Sequence, residues 1–467
     1  MQNAFSKRQL SGILAAVVVL IGMFFLPTSD AFTYAGRNTL GLLIATIIIL
    51  IFQSMNLGVL ACLLIPLMYF LGVCDTAVET LSGYANTTTF FIFASFGITA
   101  ALVNTNLAKR LMRWIITSFG KTTTAVFFSM MLAAAILSSF MSNLPVCAAF
   151  VPLAYQYVLL FPEGEARNRT AKAFLMGIPV ASMAGGIITP AGAAINVMVM
   201  ERLQSTAGLS VSFLGWMFAC GPIGLLITIF ATVLLIKIFK PANLSKAEIE
   251  AYCESLNVER RMSRNEKYVV LVVVLMFVLW IASTWYPYLN TTIVAMSGLF
   301  LFMCPGLGVM NFQAFCKEVN WTMFILFGTM TTLASRLSAN GVVAWIVNNV
   351  GELQLSAVSP VILILAISLF IYACLLIMPI GPSLANQLSV PLIAIAIGAG
   401  VDPRVAVIPL VICCVNNYLL PIDVLPLMSY NYGYYTAGEQ FRALVWVALA
   451  VSVLSALWLP FVFTLGL

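Results

Sequence analysis

The chain has 467 residues, 62% hydrophobic and 8% charged, with 22 Lys and Arg against 16 Asp and Glu and a mean hydropathy of +1.05. That composition excludes a water-soluble globular domain. The absence of histidine removes the commonest general base and metal ligand, and a net charge of +6 is what a positive inner membrane face requires, with no nucleic-acid role implied.

Apolar runs recur from end to end, continuous rather than alternating, which predicts spanning helices and not an outer-membrane barrel. Placing the N-terminus in the cytoplasm, spans are expected at 11–26, 39–55, 57–72 and 87–105. Lys7 and Arg8 precede the first run, and Leu26–Pro27–Thr28 makes a poor cleavage site, so the run reads as a retained helix. "LAKRLMRWIIT" (107–117) is basic and amphipathic and should lie along the inner surface. The next run, 122–161, is too long for one crossing and is interrupted at "SNLP". Lys121 flanks it on one side and Arg167, Arg169 and Lys172 on the other, so both ends belong inside and the run is a re-entrant hairpin.

A segment over 173–203 carries "GGIITPAGAAIN", and 209–239 follows. Gly185, Gly186, Pro190 and Gly192 should break that helix mid-membrane, with Thr189 and Asn196 adding polar groups. Irregular backbone at this depth survives only where it lines a cavity or is buried in protein. Freed carbonyls can hold a cation, and a half-helix N-terminus can face an anion. At the hairpin tip, the Ser142 hydroxyl and Asn143 amide can cap the returning helix or coordinate an ion, with Pro145 well placed at that helix's start.

After the polar loop 240–267 the order recurs: 268–286, 290–305, 319–335, an amphipathic stretch 336–352, a hairpin 357–399, a segment 403–430 and a last span 441–466. All but four of the 22 Lys and Arg then fall inside, the exceptions being Arg37, Arg202, Arg336 and Arg404. "TFFIFASFGITAAL" (89–102) resembles "TMFILFGTMTTLAS" (322–335), and "NLPVCAAFVPLA" resembles "PSLANQLSVPLI". The expectation is an all-α polytopic membrane protein. It has about 11 transmembrane segments in an inverted repeat, with two re-entrant hairpins and two broken helices. The first helix and linker fall at 1–38, repeat 1 at 39–240, a cytoplasmic loop at 241–267 and repeat 2 at 268–467. The 10 cysteines are scattered, without metal-ligand spacing. Asp423 sits beside Pro421 in the second break, where an ionisable residue is costly and functional unless it caps a short helix nearer the surface.

The strip "SNLP" followed by "FVPLA" and then "GGIITPAGAAIN" resembles the divalent anion/sodium symporter family, over nearly the whole chain. The resemblance implies a homodimer with scaffold and transport parts. It also implies Na⁺-coupled movement of sulfate or di- and tricarboxylates by an elevator-like alternating-access mechanism. By position, Ser142, Asn143 and Gly192 match that family's first sodium site, and Asn196 the Asn that ends its break. The chain departs at Leu144, where the family has Thr, at Gly381–Pro382–Ser383 in place of Ser-Asn-Thr, and at "VLPL" (424–427) in place of Thr-Pro-Pro-Asn. The expected substrate-binding residues are therefore Ser142, Asn143, Thr189, Asn196, Pro382, Ser383 and Asp423. Ser142, Asn143, Gly192 and Asp423 are the expected Na⁺ ligands, with no other cofactor.

With no Lys or Arg in either tip or break, a substrate's charge must be offset by helix dipoles, hydroxyls, amides and co-bound cations. A C4-dicarboxylate or related hydroxy-acid is the first expectation. Sulfate is the alternative, and exchange or H⁺ coupling stands beside Na⁺ symport. A channel would need a ring of filter residues and a membrane enzyme a catalytic cluster; neither is visible in the sequence. The bilayer in question is the cell inner membrane.

Overall fold

The computed structural model describes residues 6–28, 32–119, 122–256, 261–286, 288–350, 358–378 and 380–465. Lys121, and the parts of the expected segments that fall at 1–5, 29–31, 257–260, 351–357 and 466–467, lie outside the described residues.

Its first part comprises α1 (Lys7–Met23), α2 (Tyr34–Ile51), α3 (Leu57–Phe70), a short α4 (Ala77–Thr80) and, after a 3₁₀ turn at Ser82–Ala85, α5 (Thr87–Val103) and α6 (Leu107–Phe119). The hairpin is α7 (Thr123–Ser138) and α8 (Asn143–Val158). The broken helix is α9 (Glu165–Gly186), a 3₁₀ turn at Pro190–Gly192 and α10 (Ala194–Ala207), followed by α11 (Phe213–Phe239). The polar loop contains α12 (Lys246–Ser255), which its polarity concealed. Then come α13 (Arg264–Ala282), α14 (Thr291–Met303), α15 (Phe312–Glu318), α16 (Trp321–Ala339) and α17 (Val342–Val350). The second hairpin is α18 (Pro360–Ile377) with α19 (Gly381–Gly398). The second broken helix is α20 (Pro403–Val415) with α21 (Val424–Tyr430), and α22 (Ala437–Thr464) closes the chain.

The fold is all-α. Among the described residues six helices are long and apolar enough to cross a bilayer: α2, α11, α13, α18, α19 and α22. The apolar α3, α7, α14 and α20 are shorter, and α5 bends by 60° into α6. That bend turns the amphipathic α6 away from the direction of α5, as its basic face leads one to expect.

Helix ends follow local chemistry. Ser6 with Gln9, Ser245 with Glu248, Ser263 with Glu266 and Thr436 with Glu439 form capping boxes at α1, α12, α13 and α22. Inside the bundle, small residues bring backbones together, the packing mode open to helices that cannot rely on hydrophobic exclusion in lipid. A β-carbon on Gly185 of α9 would stand 2.2 Å from Ala135 O of α7, and one on Gly224 of α11 would stand 2.5 Å from Ala184 O of α9. These contacts fix α7, α9 and α11 as one rigid slab beneath the first break.

The packing then crosses over. The half-helix after the first break, α10, lies against α19 and α20 of the second half, while α21, after the second break, lies against α8 and α9 of the first. A separate group is built from α3 on α16 and α5 on α14, with α13 on α14.

Candidate ion and anion site

The first break is held open by one side chain. Asn196, fully buried at the start of α10, donates from Nδ2 to Gly186 O at 2.8 Å and to Thr189 O at 2.9 Å. It thereby satisfies two carbonyls that the interrupted helix would leave unpaired. Its own Oδ1 is buried without a partner. Trp216 of α11 donates from Nε1 to Ile187 O at 3.0 Å, so the next carbonyl of the break is also fixed. Thr189 Oγ1 donates to Ser139 O and accepts from Ala191 N, so this hydroxyl braces the loop against the end of α7.

The tip of the first hairpin meets this loop. Ser138 Oγ lies 2.6 Å from Ser182 O and 2.9 Å from Asn143 Oδ1. Its single hydrogen is shared between them, so Asn143 Oδ1 keeps lone pairs for a donor or a cation. Ser142 occupies the N-cap position of α8, yet its hydroxyl makes no capping bond. Of the two roles open to it from the sequence, capping is not the one taken. Gly192 faces Gly186 O and Ser138 O so closely that a β-carbon there would stand 2.6 and 2.9 Å from them. Gly186 faces Asn143 in the same way, at 2.1 Å from Oδ1. Glycine at both positions lets main-chain and amide oxygens converge, the donor set that a hard cation prefers.

The second hairpin tip is closed differently. Gly381 abuts Cys414 O at the end of α20, at 2.1 Å from a would-be β-carbon, and Pro382 occupies the first turn of α19. Ser383, Asn386 and Gln387, spaced to share one face of α19, are each at most 5% exposed. Ser383 Oγ, Asn386 Oδ1 and both amide atoms of Gln387 lack partners, as does Asn416 Oδ1 at the second break. Asn416 Nδ2 bonds Ile412 O at 2.8 Å. Unmatched buried oxygens on this scale are uncommon in folded proteins and point to a bound solute or water. The sequence showed Asn386 and Gln387 only as letters within a repeated strip. The signal that would have found them is two adjacent amides inside a spanning helix.

Asp423 is the N-cap of α21: it accepts from Leu425 N and from Asn417 Nδ2, both at 3.3 Å. The capping role is therefore realised. Its helix rests on α8 and α9, where Cys147 Sγ approaches Leu425 O at 3.7 Å. The expected residues thus fall into two groups. Ser142, Asn143, Thr189, Gly192 and Asn196 surround the first break. Pro382 and Ser383 belong to the second tip, and Asp423 follows the second break. The crossed half-helices α10 and α21 join the two groups.

A cavity of about 510 Å³ reaches the first tip, lined by Thr105, Lys109, Met141, Pro145, Gln156 and Ser255 among others. It runs between the α5–α6 bend and the hairpin, at the end of α5 that carries Lys109, Arg110 and Arg113.

Known proteins supply the identity. The family model described as the sodium:sulfate symporter transmembrane region matches residues 7–461. A sodium-dependent dicarboxylate transporter of Staphylococcus saprophyticus, SdcS, is 23% identical over 74% of this chain and 71% of its own length. A citrate/succinate antiporter of Escherichia coli K12 is 21% identical over 94% of this chain and 95% of its own. Among solved structures, Neisseria gonorrhoeae MtrF, of a class of antimetabolite efflux pumps, superposes with a TM-score of 0.60 at 13% identity, over 99% of this chain and 96% of that one. The Alcanivorax borkumensis YdaH transporter does so with 0.53 at 14%, over 82% and 87%. These two likenesses concern the fold alone. The chain belongs to the sodium:sulfate symporter family, and it is a membrane transporter, not an enzyme.

Proposed function

We propose that the chain is a secondary active carrier of small dianions, a C4-dicarboxylate or related hydroxy-acid, coupled to Na⁺ and working by elevator-like alternating access in a homodimer. The observation that carries the reading is the first break. Asn196 clips Gly186 O and Thr189 O, Gly192 admits two carbonyls, and Asn143 Oδ1 stands beside them. Carbonyl and amide groups converge there, with no cationic side chain among them. In this reading Ser142, Asn143 and Gly192, with the carbonyls of Ser138 and Gly186, hold Na⁺. The bound ion supplies the charge that a dianion needs. The substrate's other contacts come from Pro382 and Ser383, with Asn386 and Gln387 added, all on α19 beside α10.

Support for dicarboxylate comes from relatives named for dicarboxylate and for citrate and succinate. The cavity at the basic end of α5 is then the inward path, and the first tip is its floor. The order helix, shorter amphipathic helix, hairpin and broken helix, present twice, supports two halves of opposite orientation. An exchange reading is favoured by one observation, the near full-length match to the citrate/succinate antiporter. In that reading Asp423 modulates binding without a coupling ion.

Purified protein in liposomes decides among these. Succinate, tartrate, citrate and sulfate are offered for uptake and for counterflow, with Na⁺ and H⁺ gradients set independently. Net uptake driven by Na⁺ supports symport. Counterflow without net uptake supports exchange. Failure of every anion in both formats overturns the proposal.

A further inference from the structure

A second polar chamber lies at the other end of α5. It measures about 270 Å³ and is lined by Asn86, Glu201, Arg202, Thr331, Ser335 and Ser338, among other small and hydroxylated residues. Asn86 caps the first turn of α5, while Leu102 and Val103 at its last turn line the larger cavity. Seventeen helical residues separate the two chambers, a rise of about 25 Å. The basic cluster of Lys109, Arg110 and Arg113 is at the far end. By the positive-inside rule the small chamber is the outer one.

Arg202 is the unusual group there. It is 1% exposed, yet it borders the chamber. Nη2 donates to Thr331 Oγ1 at 3.0 Å, Nη1 is 3.2 Å from Glu201 Oε2, and Nε is buried without a partner. A guanidinium has five donors in a planar fork that suits a carboxylate. Here the fork is under-used, because a carboxylate on the adjacent residue of the same helix cannot meet it squarely. Glu201 is the looser partner: its side chain is 21% exposed against 2% for Arg202, and its Oε1 is tied only to Asn86 Nδ2 at 3.3 Å. Burying an ion pair of poor geometry costs stability, so the structural return on this pair is small. Six residues, a rise of about 9 Å, separate Arg202 from Asn196 on α10. The chamber therefore stands directly above the first break. It also lies where α10 packs on α5, and the Arg202–Thr331 bond to α16 and the Glu201–Asn86 bond to the start of α5 must part if α10 slides.

We propose that Arg202 is an outer capture subsite for a carboxylate. The incoming anion replaces Glu201 on the guanidinium, uses the idle donors, and loosens the ties of α10 to Thr331 of α16 and to Asn86 at the start of α5. A poorly aligned ion pair is exchanged for a hydrogen-bonded one, so the buried guanidinium is never left bare. The subsite rests on the transport reading and deepens it by naming where the anion is first held.

The test uses the full chain in right-side-out and inside-out vesicles, with labelled succinate and sulfate as probes. Glu201→Gln removes the resident carboxylate and should lower the outer KM for succinate about threefold or more. The double variant Arg202→Gln with Glu201→Gln keeps the charge balance and should raise the outer KM about tenfold. Arg202→Lys should fall between. The KM measured from the inner side should stay within about twofold in all three. Equal changes on both sides, or an unchanged outer KM, would overturn the subsite while leaving transport standing. Should the double variant not fold, Glu201→Gln decides: an outer KM that is unchanged or raised refutes the proposal. Wild-type vesicles that neither take up nor exchange either probe would refute the transport reading, and the subsite with it.

Discussion

Gly192→Ala replaces a hydrogen by a methyl group at the point where the first site is tightest. The methyl would stand 2.6 Å from Gly186 O and 2.9 Å from Ser138 O, both below any ordinary carbon–oxygen contact, and both atoms are backbone. Gly186 O is further restrained by Asn196 Nδ2 at 2.8 Å. Relief requires stretching that bond or pushing the end of α7 away, an overpacking cost of about 1–3 kcal/mol. If these carbonyls ligate Na⁺, the methyl fills their shared space and the loss falls on the ion-loaded form. The half-saturating Na⁺ concentration should then rise about fivefold to a hundredfold. Gly221→Ala is the control, since a β-carbon there meets nothing nearer than 3.8 Å. The assay is initial-rate succinate uptake in proteoliposomes over a Na⁺ titration, with thermal unfolding of both variants alongside. Gly192→Ala with a parental Na⁺ curve and parental maximal rate would refute the site, whatever its melting temperature.

Ser142→Ala and Asn143→Ala should each weaken Na⁺-dependent uptake several-fold while leaving yield and melting near parental, because neither side chain caps α8. Parental rates across the Na⁺ titration would show that neither binds the ion. Asp423→Asn keeps the shape of the α21 cap and removes its charge. It should blunt the pH and Na⁺ dependence of net uptake under symport, and alter only succinate affinity under exchange; no change in any of the three would leave Asp423 as a cap alone. At the first turn of α22, the Lys172 ammonium bonds Glu439 and holds its carboxyl below the usual value of 4.5. A lowered native pKa means that the pair's stabilisation is present above the unfolded value and is lost as pH falls through the native one. Glu439→Gln should therefore cost about 0–1 kcal/mol at pH 7 and nothing once the pH is well below 4.5, as read from unfolding at both pH values.

What the sequence made legible was what one-dimensional signals encode. Long apolar runs marked the hydrophobic segments, and the glycines with Pro190 marked the first break. The amphipathic α6 was visible because its basic and apolar residues alternate at helical spacing. α12 was hidden because half of its ten residues are polar and its buried face, Ile249, Tyr252 and Cys253, is short. Docking is what stabilises it: Tyr252 donates to Leu153 O of the first hairpin at 2.9 Å. Ser138 was missed because its role lies in contacts to Ser182 and Asn143 that no spacing announces. Arg202 was read only as an outside charge. Its burial is a tertiary fact, with Thr331 of α16 as a bonding partner.

The crossed packing bears on coupling. Each half-helix that follows a break is seated on the other half: α10 on α19 and α20, α21 on α8 and α9. An ion drawn between the first tip and the first break pulls on α7, α8 and the loop that Asn196 clips. That force reaches α19 through α10 and the second break through α8 and α21. Ser383, Asn386 and Gln387 lie on α19, so ordering the first tip also orders the face that carries their unpartnered groups. If the first tip and break hold the cation as proposed, its binding lowers the cost of ordering the anion's ligands, and by linkage the anion raises affinity for the cation by the same factor. The two clusters need not touch for this to hold, because the elements between them are packed helices, which transmit displacement better than loops do. A substitution that loosens the α10–α19 contact without touching either cluster should therefore weaken the Na⁺ dependence of succinate binding more than succinate binding itself.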